Sequence, residues 1–268
     1  MADWNNQDSA HNDAYGHSPL DDLDPDQNFF DLRLSEDDVI EQLLTDPSRP
    51  LSNCLSLFFL NIRSLVRNFS SLNAQLIALN LQPSILGFAE TWLKPEIESI
   101  YTLDGYTSVC ASRSVRRGGG AALQIHKSIS FNIRHNLTGS FNGIECVFAD
   151  ITEIPGSNIK PIVGVIYRPP DVPYDDLIDL LTLILEQVNL SRRSCYIMGD
   201  FNLDLLNYGT HSGVSQFLDL MHANSFYPLI DKPTHVTSTS ASLIDNIFYN
   251  SIQHEHISGT ICTDISDH

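Results

Sequence analysis

The sequence predicts an α/β protein, a two-sheet α/β sandwich flanked by helices. Two observations predict the class. Short runs rich in β-branched and aromatic residues recur along the chain, separated by Gly, Pro and Asn as antiparallel hairpins require. Helical periodicity breaks into that series at three places, so helices lie between sequential strands. A third observation bounds the size. In 268 residues, 42% apolar content is enough for one large domain with a sizeable core, or for two small ones.

The elements follow in order. Leu55–Leu60 reads as a buried strand. Asn68–Leu81 has helical spacing, with Leu72, Leu76 and Leu79 on one face, Ser70 and Ser71 near its start, and Pro83 beyond its end. Ser84–Ala89 is the next strand. Strand-like runs then cover Tyr106–Ala111, Ala121–His126, Ile129–Arg134, Ile144–Ile151 and Pro161–Tyr167. Tyr174–Leu190 is an amphipathic helix, with Asp175 and Asp176 suited to the positive end of its dipole. Ser194–Met198 is a strand and Val214–Ala223 a shorter helix. Leu243–Phe248 and Ile257–Cys262 close the series as strands. No internal repeat is present.

Residues 1–50 have a different texture. They hold 13 Asp/Glu against 2 Arg, with Asn, Asp, Gln and Ser dominant up to Gln27. This composition predicts an acidic, largely disordered N-terminal region ahead of a folded domain over 51–268. Phe29–Leu32 and Asp38–Leu44 have the apolar spacing of a short docking helix, or of a transient helix in a solvated tail. The formal net charge of −18 speaks against bulk electrostatic steering toward DNA, although a local basic patch can still bind it.

The five cysteines (Cys54, Cys110, Cys146, Cys195, Cys262) are scattered and odd in number, without zinc spacing. Reduced, mostly buried thiols are expected. No apolar run approaches the length of a membrane span, and no signal peptide opens the chain. An intracellular protein, nuclear or cytoplasmic and not secreted, is expected.

Candidate chemistry lies where apolar strands stop. In Tyr196–Asn202 a strand runs into Gly199-Asp200-Phe201-Asn202. A carboxylate beside a carboxamide can orient a water and hold a phosphate oxygen, although Gly-Asp after a strand also serves as a plain turn. Glu90 ends Ile85–Ala89 and is either a hard-oxygen ligand for Mg²⁺ or an acid at a solvent edge. Tyr167 precedes Arg168-Pro169-Pro170, where the prolines stop the strand. It is either a phosphate donor or a half-buried sheet aromatic. Asp245 lies inside the apolar run Leu243–Phe248, where an unpaired carboxylate is costly, so a partner such as a histidine is expected. Asp267 and His268 place an acid and an imidazole side by side.

Taken in order, Asn61-Ile62-Arg63-Ser64-Leu65, Ala89-Glu90-Thr91-Trp92-Leu93, Gly118-Gly119-Gly120-Ala121-Ala122, Val165-Ile166-Tyr167-Arg168-Pro169-Pro170, Gly199-Asp200-Phe201-Asn202, Leu243–Phe248 and Asp264–His268 resemble the endonuclease domain of LINE-type non-LTR retrotransposons. That domain is part of the endonuclease/exonuclease/phosphatase superfamily, with DNase I and the AP endonucleases. The resemblance covers Leu55–His268 and implies a DNase I-like fold. It implies Mg²⁺, or Mn²⁺, with Glu90 as principal ligand and Asn61 and Asp267 close to the metal or phosphate. It further implies Asp200 as the group that orients or deprotonates the attacking water and Asn202 as a phosphate holder. Tyr167 becomes a phosphate or transition-state donor, and His268 a phosphate contact whose tautomer Asp245 fixes.

The implied reaction nicks DNA and leaves a 3′-hydroxyl that primes reverse transcription. In the family an apolar strand and then a reverse transcriptase follow the Ser-Asp-His motif. The sequence ends at His268, so the fold is expected to lack its last strand and the chain its reverse transcriptase. Arg63 stands where AP endonucleases carry an acid, which fits the retrotransposon branch.

For DNA contacts, Arg113, Arg116 and Arg117 ahead of the three glycines are the expected basic patch, with Lys127 and Arg134 extending it and Asn246 as a further substrate contact. The glycines equally suit a hairpin. Other readings are a non-enzymatic fragment of the same fold, a phosphoinositide phosphatase or sphingomyelinase, or an mRNA deadenylase. Target sequence and oligomeric state are not readable.

Overall fold

The computed structural model describes residues 54–113, 118–251, 256–261 and 263–268. The expected disordered region over 1–50, with its two short helical runs, therefore lies outside the described residues, as do Arg116, Arg117 and Cys262.

Two sheets face each other. The first has the order β1-β2-β4-β3, built from β1 (Leu57–Asn61), β2 (Ile85–Ala89), β3 (Tyr106–Ala111) and β4 (Ala121–His126). The second comprises β5 (Ser130–Ile133), β6 (Gly139–Phe141), β7 (Ile144–Glu153), β8 (Ile162–Tyr167), β9 (Cys195–Asp200), β10 (Tyr227–Pro228) and β13 (Asp245–Tyr249). Its order is β10-β13-β9-β8-β7-β5, with β6 also paired to β7. A separate hairpin joins β11 (His235–Val236) to β12 (Ala241–Ser242).

The period-2 alternation of each strand sorts its residues into layers. Between the sheets lie Ile85, Leu123 and Ile125 from the first, with Val147, Ala149, Val163, Val165 and Met198 from the second. The opposite face of the first sheet buries Leu60, Leu86 and Phe88 against α1 (Leu65–Ala78). The opposite face of the second buries Phe148, Ile166, Ile197 and Phe248 under α2 (Tyr174–Ser191) and α3 (Ser212–Ala223). Each fully buried Leu, Ile or Phe contributes about 1.5–3 kcal/mol relative to exposure. The expected two-sheet sandwich with flanking helices is the observed fold.

The sheets approach closely at Gly87. A Cβ there would meet the Met198 Cε and the Val165 Cγ2, each at 2.8 Å. A glycine in a strand interior commonly marks such a close passage.

The first helix begins three residues earlier than its periodicity suggests. The Ser64 side chain accepts from the Arg67 N–H and Leu65 is buried, so the cap lies ahead of the polar stretch. It ends at Ala78, where Asn80 turns left-handed and its N–H bonds to Ile77 while that of Leu81 bonds to Leu76. That pattern is a Schellman stop. Leu79, expected on the buried face, is consequently the C-cap and 38% exposed. Residues 257–261, expected as a strand, form none. Ile257 is exposed, and the segment is held by side chains such as the Ser258 hydroxyl donating to the Leu229 carbonyl. Of the four described cysteines, all free, only Cys146 and Cys195 are buried; Cys54 is exposed. Among the described residues no helix is long and apolar enough to cross a membrane.

Candidate active site

The second sheet presents a row of four polar side chains. Glu145 pairs with Tyr167, Tyr167 with Asp200, and Asp200 with Asp245, each pair opposite in register on neighbouring strands β7, β8, β9 and β13. Period-2 alternation puts all four on the face that meets the first sheet, because Val147, Val165 and Met198 of the same strands face that layer. The row thus closes one end of the inter-sheet core, and Glu145, Asp200 and Asp245 are all buried.

The first sheet supplies the opposite wall. Asn61 ends β1 and Glu90 follows β2. The Asn61 Nδ2 donates to the Asp200 Oδ2 at 2.7 Å and to the Glu90 Oε1 at 3.0 Å. The Trp92 Nε1 donates to the second Glu90 oxygen at 3.1 Å. His268 completes the cluster, its Nδ1 lying 2.8 Å from the Asp245 Oδ2 and its Nε2 3.4 Å from the Asn61 Nδ2. Asp267 pairs with Arg63 and lies near the His235 imidazole. The structure therefore assembles Asn61, Glu90, Tyr167, Asp200, Asp245 and His268 from strand ends far apart in sequence, with Asp267 at the rim.

The backbone is unusual here. Arg63, Ser64, Glu90, Trp92 and Asn202 all adopt positive φ, a conformation rare outside glycine. Each such residue costs on the order of 1–3 kcal/mol, and such residues gather at functional sites. Backbone bonds from Ser64 to the Glu90 carbonyl and from Leu65 to the Thr91 carbonyl lock the two loops together. The Asn202 N–H donates to the Asp200 Oδ1 at 2.9 Å, while its side-chain amide donates to the Arg168 carbonyl. Buried Arg168 in turn holds the Phe201 and Asn202 carbonyls. Asn202 and Arg168 thus fix the turn that carries Asp200.

Burial pushes the Asp200 carboxyl up to about 8, with the Asp245 charge adding to the rise. Burial alone would lower the His268 imidazole, but the hydrogen bond and charge of Asp245 outweigh it and raise the group overall. Burial, with the charges of Glu90 and Asp200, raises Tyr167 and keeps it a neutral donor. For Asp267, the bond from Arg63 overcomes burial and holds its carboxyl below the usual value.

The cluster offers donors to a divalent cation: Asp200, Asp245 and His268 each present a ligand atom within 4.8 Å of the other two. Glu90, Asn61 and Asp267 offer the hard oxygens that Mg²⁺ prefers. Glu90, Asp245 and Asp267 share the cluster with Arg63 and the imidazoles of His235 and His268, and the buried Asp245 Oδ1 has no hydrogen-bond donor. A buried carboxylate oxygen with no donor, in an acid-rich cluster, suits a cation.

Four expected substrate contacts are placed otherwise. The Asn246 carboxamide points to the helix side of the sheet. Its Oδ1 accepts from the Leu229 and Ile230 N–H groups and its Nδ2 donates to the Ile230 carbonyl, so it secures a loop and does not reach the cluster. Arg113 lies at the correct end of the sandwich, but its guanidinium is held by Glu145 and by the Gly143 carbonyl. Arg134 is held by Asp150. Lys127 follows the far end of β4, the end opposite the site.

Glu145 escaped the sequence reading. The signal was present, since it stands between Ile144 and Cys146 exactly as Asp245 stands in its own apolar run. It accepts from Arg113 and, at 3.4 Å, from the Gly120 N–H. Through Gly119 and Gly120, whose carbonyls accept from Trp92 and Thr91, it supports the loop carrying Glu90.

A two-sheet α/β sandwich with acids, a carboxamide and an imidazole at one end of the inter-sheet layer has the DNase I-like architecture. The chain belongs to the Endonuclease/Exonuclease/phosphatase family, whose signature matches residues 53–268. Among solved structures, it is similar to the endonuclease domain of TRAS1, a telomere-specific non-LTR retrotransposon. That match has 14% identity and a TM-score of 0.55, covering 72% of this chain and 83% of that one. The AP endonuclease LMAP from Leishmania major is similar at 14% identity and a TM-score of 0.57, covering 82% and 83%. D. rerio TDP2 complexed with a single-strand DNA product is similar at 14% identity and a TM-score of 0.51, covering 74% and 84%. No curated protein matches significantly.

Proposed function

We propose that the protein is a Mg²⁺-dependent phosphodiesterase that nicks DNA and leaves a 3′-hydroxyl, the primer for target-primed reverse transcription in a LINE-type retrotransposon. The observation that carries the hydrolytic reading is the Tyr167–Asp200–Asp245 row tied to His268 on one side and to Asn61 and Glu90 on the other. The retrotransposon assignment rests on the ordered motifs from Asn61-Ile62-Arg63-Ser64-Leu65 to Ser266-Asp267-His268. Likeness to the TRAS1 endonuclease domain agrees with it.

Glu90, with Asn61 and Asp267, would hold the metal. When bound, it supplies positive charge against the diester and the departing oxygen. Asp200 orients a water and takes its proton as the oxygen adds to phosphorus. The P–O3′ bond breaks in line, and O3′ acquires a proton from solvent, giving a 3′-hydroxyl and a 5′-phosphate. The raised proton affinity of Asp200 suits a general base near neutrality. Asp245 holds the Nδ1–H of His268 and directs Nε2 at the phosphate. The Tyr167 hydroxyl donates to a phosphate oxygen whose charge grows in the transition state. Arg116, Arg117 and the glycine loop beside Trp92 form the proposed DNA-backbone contact.

The test is nicking of supercoiled plasmid in Mg²⁺. Open circles are expected that vanish with EDTA and in Asp200→Ala. Glu90→Ala should need far more Mg²⁺ for any residual rate. Absence of nicking by the folded protein, or nicking that survives EDTA, would overturn the reading.

A further inference from the structure

We propose that His235, Asp267 and His268 form a second metal site, which shares Asp267 with the oxygen-rich Mg²⁺ site but differs from it in ligand chemistry. It would take a borderline transition-metal ion of the Zn²⁺ type, and its occupation would block hydrolysis. It goes beyond the nuclease reading, because binding at this site can be observed whether or not the protein nicks DNA.

The geometry comes first. The His235 Nε2 lies 3.6 Å from the Asp267 Oδ2. One ligand atom from each of His235, Asp267 and His268 lies within 4.8 Å of those of the other two. Zinc binds imidazole and carboxylate at about 2.0–2.2 Å in a tetrahedron, which sets neighbouring ligand atoms about 3.4 Å apart. The His235–Asp267 separation is already near that spacing, and the His268 ligand atom, within 4.8 Å of both, has to close by at most about 1.4 Å. The two imidazole rings stand 5.0 Å apart, centroid to centroid, with 54° between their planes.

The second observation concerns the His268 ring. Its Nδ1 is committed to Asp245 at 2.8 Å. This is the carboxylate–histidine arrangement that fixes the tautomer of a metal-bound imidazole and raises its basicity. The Nε2 then carries the lone pair. It lies 3.4 Å from the Asn61 Nδ2, but that amide also donates to the Asp200 Oδ2 at 2.7 Å and to the Glu90 Oε1 at 3.0 Å. In the neutral ring the Nε2 lone pair meets only this long contact from a donor already shared by two carboxylates, and an ion can displace it.

Ligand type supplies selectivity. Two imidazoles and one carboxylate, with a fourth position open to water, make a zinc-type set. Mg²⁺ prefers all-oxygen shells and competes poorly for such a set. Binding would release Arg63 from Asp267. Arg63 is half exposed, and an exposed ion pair contributes little, so its release is cheap. An ion on the His268 Nε2 occupies the atom that hydrolysis directs at the phosphate. Zinc should therefore oppose Mg²⁺-dependent turnover.

The experiment uses the full chain, stripped of metal by chelator and titrated with Co²⁺, whose visible absorption reports nitrogen-containing coordination. One high-affinity equivalent is expected, displaced by Zn²⁺. His235→Asn should weaken it at least tenfold while leaving the fold, by circular dichroism, and Mg²⁺-dependent nicking unchanged. Zn²⁺ inhibition of nicking should weaken by a similar factor in that variant. Equal Co²⁺ affinity in wild type and His235→Asn would overturn the site, as would absorption of a purely oxygen-coordinated ion. Zinc inhibition unchanged in the variant would overturn the blocking role. Failure of the wild type to nick would sink the nuclease reading alone and leave the Co²⁺ comparison decisive.

Discussion

Asn61 of one sheet donates to Asp200 of the other at 2.7 Å, joining residues 139 positions apart across the sandwich. Both side chains are buried, so water cannot replace the bond. A hydrogen bond to a charged group contributes about 1.5–3 kcal/mol, equivalent to roughly 10- to 150-fold. Asn61→Ala should lower the nicking rate by at least that range with secondary structure retained. A variant that nicks at the wild-type rate would show that Asp200 needs no such support.

Asp245 should act through His268. Asp245→Asn keeps the size of the side chain but removes the charge beside the imidazole, lowering its basicity, and offers an N–H where Nδ1–H needs an acceptor. General acid–base and orienting effects of this kind are worth about 10²–10⁴ in rate. The rate constant at saturating DNA should fall by such a factor while DNA affinity stays nearly intact. A large loss of affinity in a gel-shift titration, with little change in rate, would contradict the assignment.

Arg113 pairs with the buried Glu145, and here the prediction is for stability. Burial raises the Glu145 carboxyl even with Arg113 beside it, and removing the guanidinium would raise it further. Breaking a buried pair from one side costs about 3–5 kcal/mol when the remaining charge cannot escape. Arg113→Ala should therefore lower the urea midpoint strongly at neutral pH. As pH falls through the raised carboxyl value, Glu145 takes up a proton in the folded state and the penalty shrinks. A loss independent of pH would mean that packing, not charge, is what Arg113 provides.

How much of this was legible follows from where each residue stands. Asn61, Glu90, Tyr167, Asp200 and Asp245 each interrupt or end an apolar strand, and a polar residue in such a place is visible in one dimension. The strand order that puts Tyr167, Asp200 and Asp245 in one row is not, because β13 joins β9 across a long excursion. Asn246 shows the limit of motif reading. It adjoins Asp245, yet alternation turns it to the opposite face, where it caps backbone groups at 229 and 230. His235 lies in a Thr- and Ser-rich stretch with no apolar period, so only the folded hairpin brings it to Asp267. The missed start of α1 has a local cause, since Ser64 caps the helix from a left-handed residue, a conformation that propensity does not anticipate.

Gly87 connects the packing to the chemistry. It lies in β2, three residues before Glu90, at the point where the first sheet rests on Met198 and Val165. Met198 is two residues from Asp200 along β9, and Val165 two from Tyr167 along β8, so this contact sets the sheet separation close to the site. Gly87→Ala would place a methyl 2.8 Å from both side chains. The end of Met198 can swing aside, but Val165 is β-branched and stiff at χ1. Overpacking of this sort costs about 1–3 kcal/mol. It should also move β2, and Glu90 with it, away from β9 by a few tenths of an ångström, loosening the Asn61 bridge to Asp200. The expected result is a modest fall in urea midpoint together with a disproportionate fall in nicking rate. If the midpoint falls and the rate does not, the sheet separation at Gly87 does not govern the geometry of the site.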